Sequence, residues 1–381
     1  MNQGFSSFLN FSRWLSAFLV LIHHIRHIVF VDLKDVHQST FFVKLFYFFT
    51  GFGHEAVVIF FVLSGLLVGG LTFDKWLNEE KKLMFQYFIH RFFRIYIVYA
   101  PVLVIGYFID NIGLNYFDDS MLYSRSPQYK TLSLDTIIKD NLGFDVFLCN
   151  LFMLQGIDVG VLGSNGPLWS LSYEWWYYCL WGAFLGVFFF NGSKRFIYLV
   201  FCLFVVIFLP EKILLWMVIW LLGVFSYFLA KKEIKFKVFK YISVFVFIAL
   251  LTVSRFDALY FVLDGVSGLY IDFLTDFLLG VSYGFVLICF YGVESYFSSS
   301  FNSFLASFSY SLYLVHFPFI VFVVAVLNQL FGVGFLLQPD YYSYLYFICL
   351  SVFLLLLSYF IYYITERHTK KIIQFFSVLQ K

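Results

Sequence analysis

Arg13 and His24 are eleven residues apart in one apolar run, Arg13-Trp-Leu-Ser-Ala-Phe-Leu-Val-Leu-Ile-His23-His24. On an α-helix that spacing is about 20° past three turns, so both side chains fall on nearly one face, with His24 roughly 16 Å further along the axis. This is about half of a hydrocarbon core of roughly 30 Å. Ionisable groups at such depth are costly and tend to face protein or water, where they mark function. A guanidinium at the membrane surface can hold an anionic carrier, and an imidazole deeper in can act on that carrier's reactive group. His24 suits a general base, because an unperturbed imidazole titrates near neutrality. His23, turned about 100° away, reads first as structural. Arg26 and His27 lie nearer the outer surface and read as snorkelling side chains.

Four further clusters carry polar groups inside or beside apolar runs. His90-Arg91-Phe92-Phe93-Arg94 places two guanidiniums three residues apart. They fit a basic collar at the cytoplasmic membrane face or a phosphate clamp, for which Arg is well shaped. Phe60-Phe61-Val62-Leu63-Ser64-Gly65 allows close helix packing or the close passage of a thin ligand. Asn165-Gly166-Pro167-Leu168-Trp169-Ser170-Leu171-Ser172-Tyr173-Glu174 is a turn that opens a helix. Its Trp169 suits an interfacial aromatic belt. Its Glu174 needs a partner inside the span, either a structural one or a substrate hydroxyl. Ser309-Tyr310-Ser311-Leu312-Tyr313-Leu314-Val315-His316 precedes Pro318, which can open a polar spot in a helix. A structural hydrogen bond is the first reading of His316 and substrate contact the second.

These residues must be positioned by membrane helices. Of 381 residues, 62% are hydrophobic and 13% charged, about half the charge of a soluble domain. Net charge is only +2, which gives no whole-protein case for nucleic acid. Cys149, Cys179, Cys202, Cys289 and Cys349 are scattered without metal or disulfide spacing and read as apolar packing. No metal motif, P-loop or nucleophile elbow is present.

The expected fold is an all-α integral membrane protein, a single domain over 1–381 with about ten transmembrane helices. The spans are expected near 14–31, 55–72, 93–109, 168–190, 196–209, 213–230, 239–254, 273–292, 304–327 and 343–364. The first is read as an uncleaved helix, not a signal peptide. The short apolar stretch 142–156 reads as re-entrant or amphipathic. With both termini cytoplasmic, the inner segments hold 17 of the 25 Lys and Arg residues, as the positive-inside rule requires. That leaves 110–167, with seven Asp and three basic residues, as a long external loop. Connections of such length are usually functional or disordered.

Taken in order along the chain, the motifs resemble those of the acyltransferase 3 family of membrane acyltransferases. They are Arg13-x10-His24, Phe60 to Gly65, Arg91-x2-Arg94-Ile95, Pro167 to Glu174, Ser309 to His316, and Glu366-Arg367. The resemblance implies transfer of an acyl group, usually acetyl, from cytoplasmic acyl-CoA to a hydroxyl of a cell-surface glycan or a glycolipid such as lipopolysaccharide. It implies His24 as the catalytic histidine with Arg13 as its partner. It implies Arg13, Arg91, Arg94, Ser64 and Gly65 at the acyl-CoA, and Trp169, Ser170, Glu174 and His316 near the acceptor or reaction centre. It implies acetyl-CoA or another acyl-CoA as co-substrate, no metal, and a bacterial inner membrane as the location. Two places depart from the usual pattern, Phe11-Ser12-Arg13-Trp14 and Glu174-Trp175. A glycan transporter or flippase is the alternative reading, and an O-antigen-type polymerase another. Neither calls for a cytoplasmic Arg pair aligned with a deep histidine.

Overall fold

A computed structural model describes residues 3–78, 84–129, 131, 136–232, 237–256, 259–260, 263, 265–292 and 299–378. Lys81, Lys82, Lys130, Lys235 and Lys381, which enter the charge pattern, lie outside the described residues. Among the described residues the structure is helical, with turns and two isolated bridges, Phe30 with Leu337 and Gln155 with Val159.

The helices are α1 (Gln3–Val29), α2 (Phe41–Phe49), α3 (Gly53–Ser64), α4 (Leu71–Asn78), α5 (Met84–Tyr116), α6 (Phe144–Leu151), α7 (Trp169–Phe189) and α8 (Gly192–Phe208). They continue with α9 (Glu211–Ala230), α10 (Lys237–Ser254), α11 (Gly268–Phe290), α12 (Ser299–Ser307), α13 (Ser309–Phe331), α14 (Tyr341–Ile364) and α15 (Thr369–Val378). A six-residue π-helical segment, Gly65–Gly70, joins α3 to α4. Each of the ten expected stretches is helical over most of its length, with Phe308 breaking the ninth and the ends of others falling outside their helices.

Seven helical segments among the described residues are long and apolar enough to cross a membrane. They are Gln3–Val29, Phe41–Asn78, Met84–Tyr116, Glu211–Ala230, Gly268–Phe290, Ser309–Phe331 and Tyr341–Phe376. The remaining three expected spans form α7, α8 and α10. At 17 and 18 residues, α8 and α10 sit at or just under the length of about 20 that a bilayer core asks for. α5 is longer than expected, because it continues to Tyr116. Its Pro101 and the Pro318 of α13 are accommodated inside the helices, as apolar surroundings permit when neighbours satisfy the freed backbone.

The chain divides into two compact units. The first comprises Met1–Ser16, His54–Arg91 and Tyr173–Ala306. Here α9 packs on both the Gly65–Gly70 segment and α11, and α10 packs on α11. The approach to α9 is set by two glycines. A Cβ on Gly65 would lie 1.8 Å from the Trp220 carbonyl oxygen, and one on Gly223 would lie 2.0 Å from that of Val62. Backbone thus meets backbone, as small residues allow between membrane helices.

The second unit comprises Ala17–Gly53, Phe92–Ser172 and Ser307–Lys381. Its α13 packs on α14. The stretch between α5 and α7 is held by buried polar side chains. The amide of Asn150 donates to the carbonyls of Val146 and Gly160, and its oxygen accepts the Leu162 N–H. The Asp110 carboxylate accepts both the N–H and the hydroxyl of Ser164, at 2.7 and 2.9 Å. The 142–156 stretch contains α6, a helix of eight residues.

Candidate active site

In the second unit the site is built around two histidines. His24 of α1 and His316 of α13 meet with Nδ1 of the first 2.9 Å from Nε2 of the second. Their rings stack at 5.0 Å between centroids, and Phe317 closes on His24 edge-on at the same distance. His316 is fully buried, and its Nδ1 donates to the Leu312 carbonyl at 3.0 Å. Both of its nitrogens are therefore engaged, which leaves no polar atom of that ring for an acceptor. His24 is only half-buried. His23 packs on His27 at 4.3 Å and against Gly53, where an added Cβ would touch its ring.

The turn that opens α7 is docked on α13 in the same unit. Asn165 donates to the Leu314 carbonyl at 3.0 Å. The Tyr313 hydroxyl donates to the Pro167 carbonyl at 2.9 Å. The Ser170 hydroxyl lies 3.3 Å from the same carbonyl and 2.6 Å from the Tyr313 hydroxyl, so the two hydroxyls share a bond and converge on one acceptor. Ser170 is buried, and Trp169 is half-buried at the first position of the helix. Gln155 adds a bond from its amide to the Leu168 carbonyl.

Arg94 also belongs to this unit. Its guanidinium is 3.0 Å from the Glu366 carboxylate and lies over the Tyr310 ring. Glu366 is buried and accepts a second bond from the Ser311 hydroxyl at 3.0 Å. The charge of Arg94 is thus partly neutralised within the fold.

In the first unit the central feature is a directed hydrogen-bond chain. The Tyr178 hydroxyl donates to the Glu174 carboxylate at 2.5 Å. Ser64 must then donate to the Tyr178 oxygen, at 3.1 Å. The Trp220 indole N–H, a donor only, closes the chain onto Ser64 at 3.1 Å. Every proton therefore points toward Glu174, whose side chain is half-buried. Tyr87 fixes the same turn of α7 by donating to the Tyr178 carbonyl. Arg91 lies over both tyrosine rings at 5.8 Å. Among the described residues it makes no ion pair, and its buried Nε has no hydrogen-bond partner. Arg13 lies half-buried on α1, which is unbroken from Gln3 to Val29. The neighbouring Trp14 donates to Asn302 at 2.9 Å.

Sequence reasoning thus placed His24 and His316 separately, and the fold pairs them. It placed Ser64 and Glu174 separately, and the fold joins them through Tyr178. Tyr178 was within reach of sequence, because it stands four residues after Glu174 and i,i+4 side chains meet on a helix. Trp220 and Tyr313 were not, because their partners are 156 and 143 residues distant. Glu366 was noticed as a motif residue, but not as the partner of Arg94. Gly65 faces the backbone of α9, so close helix packing accounts for its lack of a side chain.

The family model described as an acyltransferase domain, that of the acyltransferase 3 family, matches residues 6–363. The chain belongs to the acyltransferase 3 family. The match takes in every candidate residue from Arg13 to His316 and supports a membrane acyltransferase. No curated protein and no solved structure matches the chain.

Proposed function

We propose that this acyltransferase moves an acetyl group, or another short acyl group, from cytoplasmic acyl-CoA to a hydroxyl of a cell-surface glycan or glycolipid. In this reading the chain crosses a bacterial inner membrane about ten times with both termini inside. The observation that carries the reaction is the half-buried His24 ring, held by His316 within a chain matched to the family over nearly its whole length. An imidazole so fixed can take the proton of an attacking hydroxyl or carry the acyl group itself. Arg13, Arg91 and Arg94 take the anionic part of CoA, with Ser64 and Gly65 along the path of its arm. Glu174, Trp169 and Ser170 serve the acceptor side. Arg91 is best suited of the three cations, since its charge is not committed to a carboxylate of the fold.

The test uses purified full-length protein in lipid nanodiscs with radiolabelled acetyl-CoA and a glycan-lipid extract. Wild type should release free CoA thiol and label the extract. His24→Ala should lose at least about 10²-fold in rate, the lower end of what a positioned acid–base group contributes. Full activity of His24→Ala would remove the centre of the proposal. Passage of unmodified glycan lipid with no thiol release would favour the transporter instead.

A further inference from the structure

We infer that His316 is a positioning residue that fixes the tautomer of His24, so that Nε2 of His24 is the reactive atom. This inference rests on the acyl-transfer reading above. The Leu312 carbonyl, which only accepts, faces Nδ1 of His316 at 3.0 Å. That nitrogen must therefore carry a hydrogen, and in the neutral ring Nε2 then has only a lone pair to offer. Nε2 is the atom that meets Nδ1 of His24 at 2.9 Å. Nδ1 of His24 must in turn be the donor. Its proton is held between the rings and beside the Val20 carbonyl four residues back on α1, and the lone pair of the neutral ring is left on Nε2 of His24.

The direction of the chain is set at its far end by a backbone carbonyl four residues back on α13. No carboxylate is needed to set it. Helix geometry supplies that carbonyl, because residues four apart on α13 lie one above the other. His316 is 0% exposed, so water does not compete for either of its nitrogens. The ring stack at 5.0 Å holds the orientation of both imidazoles as well as the bond between them.

The consequence for the reaction is specific. When the acceptor oxygen bonds to the thioester carbonyl carbon, its proton moves to Nε2 of His24. As the carbon–sulfur bond breaks, that proton passes to the departing thiolate, and His24 returns to its starting tautomer. If the acyl group is first carried on His24, Nε2 bonds to the carbonyl carbon as the carbon–sulfur bond breaks, and the acceptor hydroxyl then displaces Nε2 while its proton goes to the departed thiolate. The opposite tautomer would present an N–H to the substrate and could do neither.

The experiment reads the tautomer directly. Full-length protein is labelled with ¹⁵N-histidine in lipid nanodiscs, and the His24 signals are assigned by their absence in His24→Gln. Solid-state NMR should show His24 protonated at Nδ1 and bare at Nε2. In His316→Leu the His24 signal should shift to the other tautomer or a mixture. His316→Gln, whose amide oxygen can replace the Nε2 acceptor, should restore the wild-type tautomer. In turnover, His316→Leu should lower kcat by about 10²-fold with KM for acetyl-CoA nearly unchanged, and His316→Gln should recover most of that loss. His24 found bare at Nδ1 in the wild type, or unmoved by His316→Leu, would overturn the inference even with His24→Ala inactive. A tautomer found as expected beside a fully active His24→Ala would instead overturn the acyl-transfer reading.

Discussion

At the residue scale, two arginines three positions apart on α5 have different surroundings. Arg94 is tied to a buried carboxylate, and Arg91 rests on two tyrosine rings with its Nε unpartnered among the described residues. Their substitutions should therefore separate. Arg91→Ala should raise KM for acetyl-CoA by about tenfold or more, the worth of one charge-assisted contact of roughly 1.5–3 kcal/mol. Its melting temperature should stay near that of wild type. Arg94→Ala should lower the melting temperature, because it strands Glu366 as a buried charge. The Arg94 side chain is 39% exposed, so the loss should fall below the roughly 3–5 kcal/mol seen for fully buried pairs. An unchanged KM in Arg91→Ala would count against the phosphate-clamp role. Spacing alone gave both arginines one description, because a motif shows residue type and period but not the partner on a distant helix. The same holds for Ser64. Its hydroxyl is used by Trp220 and Tyr178, and neither contact leaves a local trace.

At the scale of elements, the join between α3 and α4 is the most constrained feature of the first unit. Gly65 and Gly223 each approach a backbone carbonyl that cannot move aside as a side-chain tip could. Gly223→Ala should therefore destabilise by about 1–3 kcal/mol or prevent folding, as overpacking does. Gly106→Ala is the matched control. Its Cβ would meet only Pro318 at an ordinary 3.7 Å, so it should be neutral or slightly stabilising in mid-helix. Thermal unfolding in one detergent compares the two, and equal behaviour would show that the glycine contact is not limiting. The positions of the helices were legible in the sequence, because apolar runs with polar breaks mark them. Their ends were less so. α5 runs on to Tyr116 through Asp110 and Asn111, which hydropathy reads as loop. Asp110 is nonetheless buried, because Ser164 satisfies its carboxylate.

For the whole molecule, the number of crossings fixes which segments face which side. Seven segments meet the criterion for crossing on length and composition, and α7, α8 and α10 decide whether the total reaches ten. Lys and Arg partition gives an answer that can be tested. On a background lacking the five cysteines, Lys139→Cys should react with an impermeant maleimide in intact cells. Lys194→Cys and Lys370→Cys should react only after permeabilisation. Labelling of Lys370→Cys from outside would mean an odd number of crossings if the N-terminus is inside. The long stretch between α5 and α7 shows how far composition can mislead about order. Its length and acidity fit a floppy tether, yet Asn150, Gln155 and the Asp110–Ser164 pair fasten it from within. The described residues fastened in this way have lost their conformational entropy by the time the protein has folded. A glycan that docks on those residues would meet a ready surface, with no coupled ordering of them to weaken its binding.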